Sequence, residues 1–263
     1  MAVSTSTITS FAAVGVPMTT NDFNVFESTT SPKRSIGFKV ETVNGDIYRW
    51  SHFGAAVTQG KIVSQDLSGT SVVDSDDVIV VPASAVTISD GTLGSRYIEI
   101  TLASKTKNQF AGGKITITDD TGEGYTYNII GNTATGNPAT NNIRVELASP
   151  LQVAVTASSD FAITGSLYND LIVATSTDYC VAGVSMASQA ADDYGWVITR
   201  GTVGILSEGT VSLPLLPAIG KGIVVYTTAG SVAGATATND NVFGYCIVAP
   251  DDTGYGIYKI NCE

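Results

Sequence analysis

The chain has 263 residues, 14% of them charged and 43% hydrophobic, with 27 glycines. A charged fraction that far below the roughly 25% of ordinary soluble domains, joined to that apolar content, excludes both disorder and a collagen-like repeat. A net charge of −11 excludes a grip on phosphate backbones and opposes anionic membrane surfaces, because both draw on clustered Lys and Arg.

Residues 1–35 are rich in Ser and Thr, are broken by Pro17 and Pro32, and show neither helical nor alternating periodicity, so they read as an extended N-terminal arm. Two readings stay open: a loose terminus, or an arm whose Phe11, Phe23 and Phe26 dock on a neighbouring subunit, with Lys33 and Arg34 completing the contact. No basic residue precedes Lys33 and the apolar stretch 11–17 is short, so neither a signal peptide nor a membrane span is expected, only a soluble product of a cytoplasm.

From Ile36 the pattern alternates to Val43, Asn44-Gly45 gives a tight-turn signal, and Asp46 to Trp50 returns as the second strand of a hairpin. Asp74, Asp76 and Asp77 then precede the apolar run Val78 to Val81. Calcium and a solvated loop both suit carboxylates there, but the spaced ligands, central Gly and closing Glu of an EF-hand are missing. Residues 95–163 supply strands at Tyr97–Leu102, Lys114–Thr118, Tyr125–Ile130 and Ile143–Leu147, with an exposed loop over 132–142. The C-terminal part repeats the habit at Leu171–Thr175, Gly195–Thr199, Val203–Leu206, Ile223–Tyr226, Gly244–Val248 and Gly256–Ile260, and Val184 to Asp192 invites a helical turn. The expected fold class is all-β, with barrel or sandwich domains, short turns and the N-terminal arm.

Chemistry is thin. His52 is the sole histidine, and beside Trp50 and Phe53 it reads as a packed or surface residue. Trp50 and Trp196 read as core anchors. Cys180, Cys246 and Cys262 lack metal-ligand spacing; Cys180 and Cys246 sit in apolar strand contexts and are expected to pack as small hydrophobes. Asp119-Asp-Thr-Gly and Asp251-Asp-Thr-Gly repeat the tripeptide that carries catalytic aspartates in aspartic proteases. Each here belongs to an acidic pair in an expected turn, where Asp caps the turn and Gly supplies positive φ. No catalytic residue, metal site or cofactor can be nominated, and the chain reads as a scaffold rather than an enzyme.

The stretch Gln109–Asn132 resembles virion structural proteins of marine tailed bacteriophages. Tyr194-Gly-Trp-Val-Ile-Thr-Arg-Gly-Thr-Val, Ile219-Gly-Lys-Gly-Ile-Val-Val and Val242-Phe-Gly-Tyr-Cys-Ile-Val resemble the small β-barrel of phage capsid decoration (cement) proteins, and Gly45 to Lys61 looks like the start of that barrel. The resemblance implies three parts: the arm 1–35, a barrel from 36–65 plus 166–263, and a second β domain 66–165 inserted within it. It also implies trimers on the outer head surface that clamp the major capsid protein of the virion. The net charge of −11 favours that exterior, since a packaged genome would repel it inside. The competing readings are a tail- or head-fibre-associated attachment protein that binds host glycans, and a β-rich hydrolase.

Overall fold

The structure, a computed structural model, describes residues 23–65, 79–80, 88–175, 180–208, 217–235, 241–250 and 254–263. It is all-β, as the sequence led us to expect, and no helix occurs among the described residues. The strands, in order, are β1 Ser28–Thr29, β2 Lys39–Glu41, β3 Ile47–His52, β4 Ile62–Gln65, β5 Ile79–Val80, β6 Ile88–Asp90, β7 Tyr97–Thr101, β8 Lys114–Asp119 and β9 Thr126–Asn132. They continue with β10 Asn142–Leu147, β11 Asp160–Thr164, β12 Leu171–Val173, β13 Val181–Ser185, β14 Tyr194–Ser207, β15 Gly222–Val225, β16 Val232–Gly234, β17 Gly244–Val248 and β18 Gly254–Asn261. Two compact units result, one within Met1–Gln65 and Tyr168–Glu263, the other within Asp66–Leu167.

The second unit is an antiparallel sheet in the order β5-β11-β8-β9-β10-β7-β6. Alternating burial along β7, β10 and β11 puts one face inside, and Ile98, Ile100, Ile115, Ile117, Ile143, Val145, Phe161 and Ile163 form its core. The turn Asp119–Tyr125 works as its composition demands. Asp119 Oδ1 accepts from the Asp120 N–H at 2.8 Å, and Asp120, Gly122 and Gly124 take positive φ. Buried Asn132 pins the segment before β8 under β9: its Oδ1 accepts from Phe110 N–H at 2.8 Å, and its Nδ2 donates to Thr106 O and Thr133 O at 2.8 and 2.9 Å.

In the other unit β14 is the spine. Its first half pairs with β13 and β3, and its second half with β18. Because β14 also meets β16, the order β14-β16-β15-β17-β18 closes on itself as a five-stranded barrel. The barrel is drawn from Tyr194–Asn261 alone; β2, β3 and β4 extend the sheet outside the ring, so the opening segment does not enter the closed barrel. The expected hairpin is present, with Gly45 at φ 82 and Thr42 N–H bonded to Asp46 O at 2.9 Å around a three-residue loop.

Two expectations fail. Arg200-Gly201-Thr202 reads as a break between two strands, yet the strand runs on for 14 residues: its ladder with β3 bulges at Thr199, and from Arg200 onward it pairs with β18 in unbroken register through Gly201. Val184–Asp192 is not helical: β13 ends at Ser185, whose Oγ donates to Ala187 O at 2.7 Å, and Gln189 pairs with Val57 through two backbone bonds. Serine bonding to nearby backbone competes with a helical turn.

Candidate functional site

Trp50 on β3 and Trp196 on β14 lie directly opposite each other, and both are fully buried. Their rings meet edge to face at 5.1 Å. Onto this pair folds the described part of the arm. Phe23 sets its ring edge-on to Trp196 at 5.0 Å and to Tyr48 at 5.4 Å. Arg34 lays its guanidinium over both indoles, 5.0 Å from Trp50 and 5.1 Å from Trp196.

Between those anchors the segment adds a strand to the sheet. Ser28 and Thr29 of β1 pair antiparallel with Gly195 and Tyr194, and Ser28 Oγ donates to Asp193 Oδ2 at 3.2 Å. Gly195 is required by close approach, because a Cβ there would lie 2.2 Å from Gln189 Nε2 and 3.0 Å from Glu27 O. Glu27 ties the two ends of the strap, accepting from Lys33 Nζ and, at 3.0 Å, from Arg34. Burial pushes the Glu27 carboxyl up, but its bonds to Lys33 and Arg34 outweigh this and hold it below the ordinary carboxylate value.

The five arm residues therefore separate. Phe23 and Arg34 pack within their own chain, Phe26 is 65% exposed, and Lys33 keeps half its side chain in water while pairing with Glu27. Phe11 lies outside the described residues. Sequence reading missed Glu27 and Gln189; the signal for Glu27 was its place six and seven residues before two basic side chains.

Among the described residues nothing else assembles a reactive centre. His52 lies tilted against Tyr194, ring centroids 4.8 Å apart, with Nε2 3.9 Å from Asp192. Asp119 and Asp120 are exposed turn residues, while Asp251–Thr253 and Asp74, Asp76 and Asp77 lie outside the described residues. Cys246 packs inside the barrel, but Cys180 is exposed, contrary to the expectation that it packs, because it precedes β13 rather than lying in it. Burial first and Glu263 second push the Cys262 thiol up to about 12. Among the described residues no group of His, Cys, Asp and Glu could hold a metal ion, and no helix is long and apolar enough to cross a membrane. Neither the protein-family models, nor the curated proteins, nor the solved structures contain a match to this chain.

Proposed function

We propose that this chain is a structural virion protein, a decoration (cement) protein on the outer surface of a tailed phage head that stabilises contacts between capsomers. The observation that supports it best is the docked strap. The sheet carries a built acceptor for extended chain: an edge at Gly195 that takes a strand, a tryptophan pair that takes an aromatic plug, and Arg34 closing over both indoles. Edge addition of this kind joins neighbouring subunits without chemistry, main-chain bonds giving affinity and side-chain pockets giving specificity. A net charge of −11 suits the outside of a genome-filled shell.

Electron microscopy of the intact particle tests this. Density for the chain repeated over the head is the expected result. Density confined to the tail or to a single vertex would replace the cement reading with an attachment role.

A further inference from the structure

We propose that the outer face of the barrel over β15, β17, β18 and β14 is a docking surface for a second copy of this chain. Ring strand β17 and the first half of β18 are apolar on both sides, before β18 ends on outward Lys259 and Asn261. Cys246, Tyr258 and Ile260 turn inward and are buried, while Tyr245, Val248, Tyr255 and Ile257 stand outward at 46, 48, 53 and 43% exposure. A sheet face meant for water alternates apolar with polar, and strands apolar on both sides belong to sheets covered on both sides.

The outward side chains are contiguous. Val248 faces Ile257 across the β17–β18 ladder. Ile219, 78% exposed, precedes Gly220, whose N–H bonds Cys246 O on β17. Val242, 50% exposed, lies over Gly222, which pairs with Tyr245. Taking about 100 Å² for a whole aliphatic side chain and about 200 Å² for an aromatic one, the six leave roughly 400 Å² of apolar surface in water. A standard interface takes about 800 Å² from each partner at somewhat over half apolar, so this face supplies nearly the whole apolar share of one side.

Charge selects the occupant. The molecule carries −11, yet among the described residues no outward position on these four strands is acidic, and the exposed charges there are Lys259 and, at the start of the β14–β18 ladder, Arg200, which pairs with Glu41. Copies that repel over the rest of their surface approach without that penalty here. A basic partner would find no carboxylate to hold, and a sugar would find tyrosines without the carboxylates that usually accompany them.

Gly204 makes the test clean. It is exposed on β14 opposite Ile257, and a Cβ built there meets only Gly256 O, at 3.9 Å. Gly204→Arg therefore leaves the fold intact, as circular dichroism would verify, and drives a charged side chain into the face. Sedimentation of the full chain from about 1 to about 100 µM should show mass above the monomer, with apparent Kd raised at least tenfold by Gly204→Arg and by Ile257→Thr. Ile130→Thr, at a 61% exposed position of the other unit, should leave it unchanged. A wild-type monomer throughout that range would overturn the proposal, as would association indifferent to Gly204→Arg and Ile257→Thr or lost equally in Ile130→Thr. The measurement uses the free chain, so failure to bind capsids would remove the virion reading and leave this face standing.

Discussion

Replacing Arg34 by alanine isolates the energy with which the strap holds the barrel unit. The guanidinium sits about 5 Å over each of two fully buried indoles, and its side chain is 16% exposed. A cation over an aromatic face that far from water contributes about 1 kcal/mol per ring. The bond to Glu27 adds a charge-assisted contact, discounted because Lys33 remains to hold the carboxylate. The sum is about 2–3 kcal/mol for Arg34→Ala, and Arg34→Lys should recover less than half, since an ammonium restores charge but not the planar stack. The chain has only two tryptophans, and both are in this site, so urea unfolding followed by indole emission reads the unit that carries the strap. Acrylamide quenching of the folded variant should rise in parallel as the strap loosens. If Arg34→Ala moved the unfolding free energy by less than about 0.5 kcal/mol and left quenching unchanged, the guanidinium would not be the clamp.

Gly195→Val should detach β1, because its Cβ falls 2.2 Å from Gln189 Nε2 and 3.0 Å from a strap carbonyl; limited proteolysis should then cut between residues 23 and 35, where the wild type resists. Asn132→Leu removes three hydrogen bonds from a buried amide and should cost the second unit about 3 kcal/mol by thermal unfolding. A thiol reagent should label one cysteine in the folded chain, Cys180, and three after denaturation, since Cys246 is buried and the Cys262 thiol is held near 12. Burial raises the Glu263 carboxyl as it does that of Glu27, but bonds from Arg49 and Thr199 bring it below its ordinary value near 4.5. Carboxyls depressed in the folded state stabilise fully above that ordinary value and lose the contribution as pH falls through their lower folded values. The stability difference between wild type and Glu27→Gln should therefore shrink as pH drops from about 5 to about 3.

Legibility followed the range of the interactions. Strands of the second unit could be read from sequence because each buries one face, so Tyr97–Thr101 and Lys114–Asp119 carry their period of two openly. The Asn44-Gly45 turn and the Asp119–Tyr125 turn were legible because their conformations are set by residues in contact along the chain. The join at Arg200-Gly201 was not: a glycine looks the same whether it ends a strand or continues it, and only the arrival of β18, some fifty residues later, carries β14 through it in unbroken register. The strap was half legible. Its phenylalanines stood out against a polar segment, but whether Phe23 finds Trp196 of its own chain or another surface is decided by the β3–β14 pairing, which no local pattern encodes.

The same limit explains why the outward barrel face escaped the sequence. Gly244-Tyr-Cys-Ile-Val looks like an ordinary buried strand, and a run of apolar residues does not say which of its two faces the rest of the chain will cover. Closure of the ring settles that. One phase of β17 and β18 fills the lumen with Cys246, Tyr258 and Ile260, and in the other phase Tyr245, Val248 and Ile257 stay about half exposed, with no strand of their own unit laid over them among the described residues. Evolution of a lone chain would trade those outward positions for Thr, Lys or Glu at little cost, since surface substitutions on a sheet shift stability by only about 0.5 kcal/mol. That β14 presents Thr202 and Gly204 beside them, small side chains next to large apolar ones, gives the face relief of the kind two packed surfaces need to interdigitate.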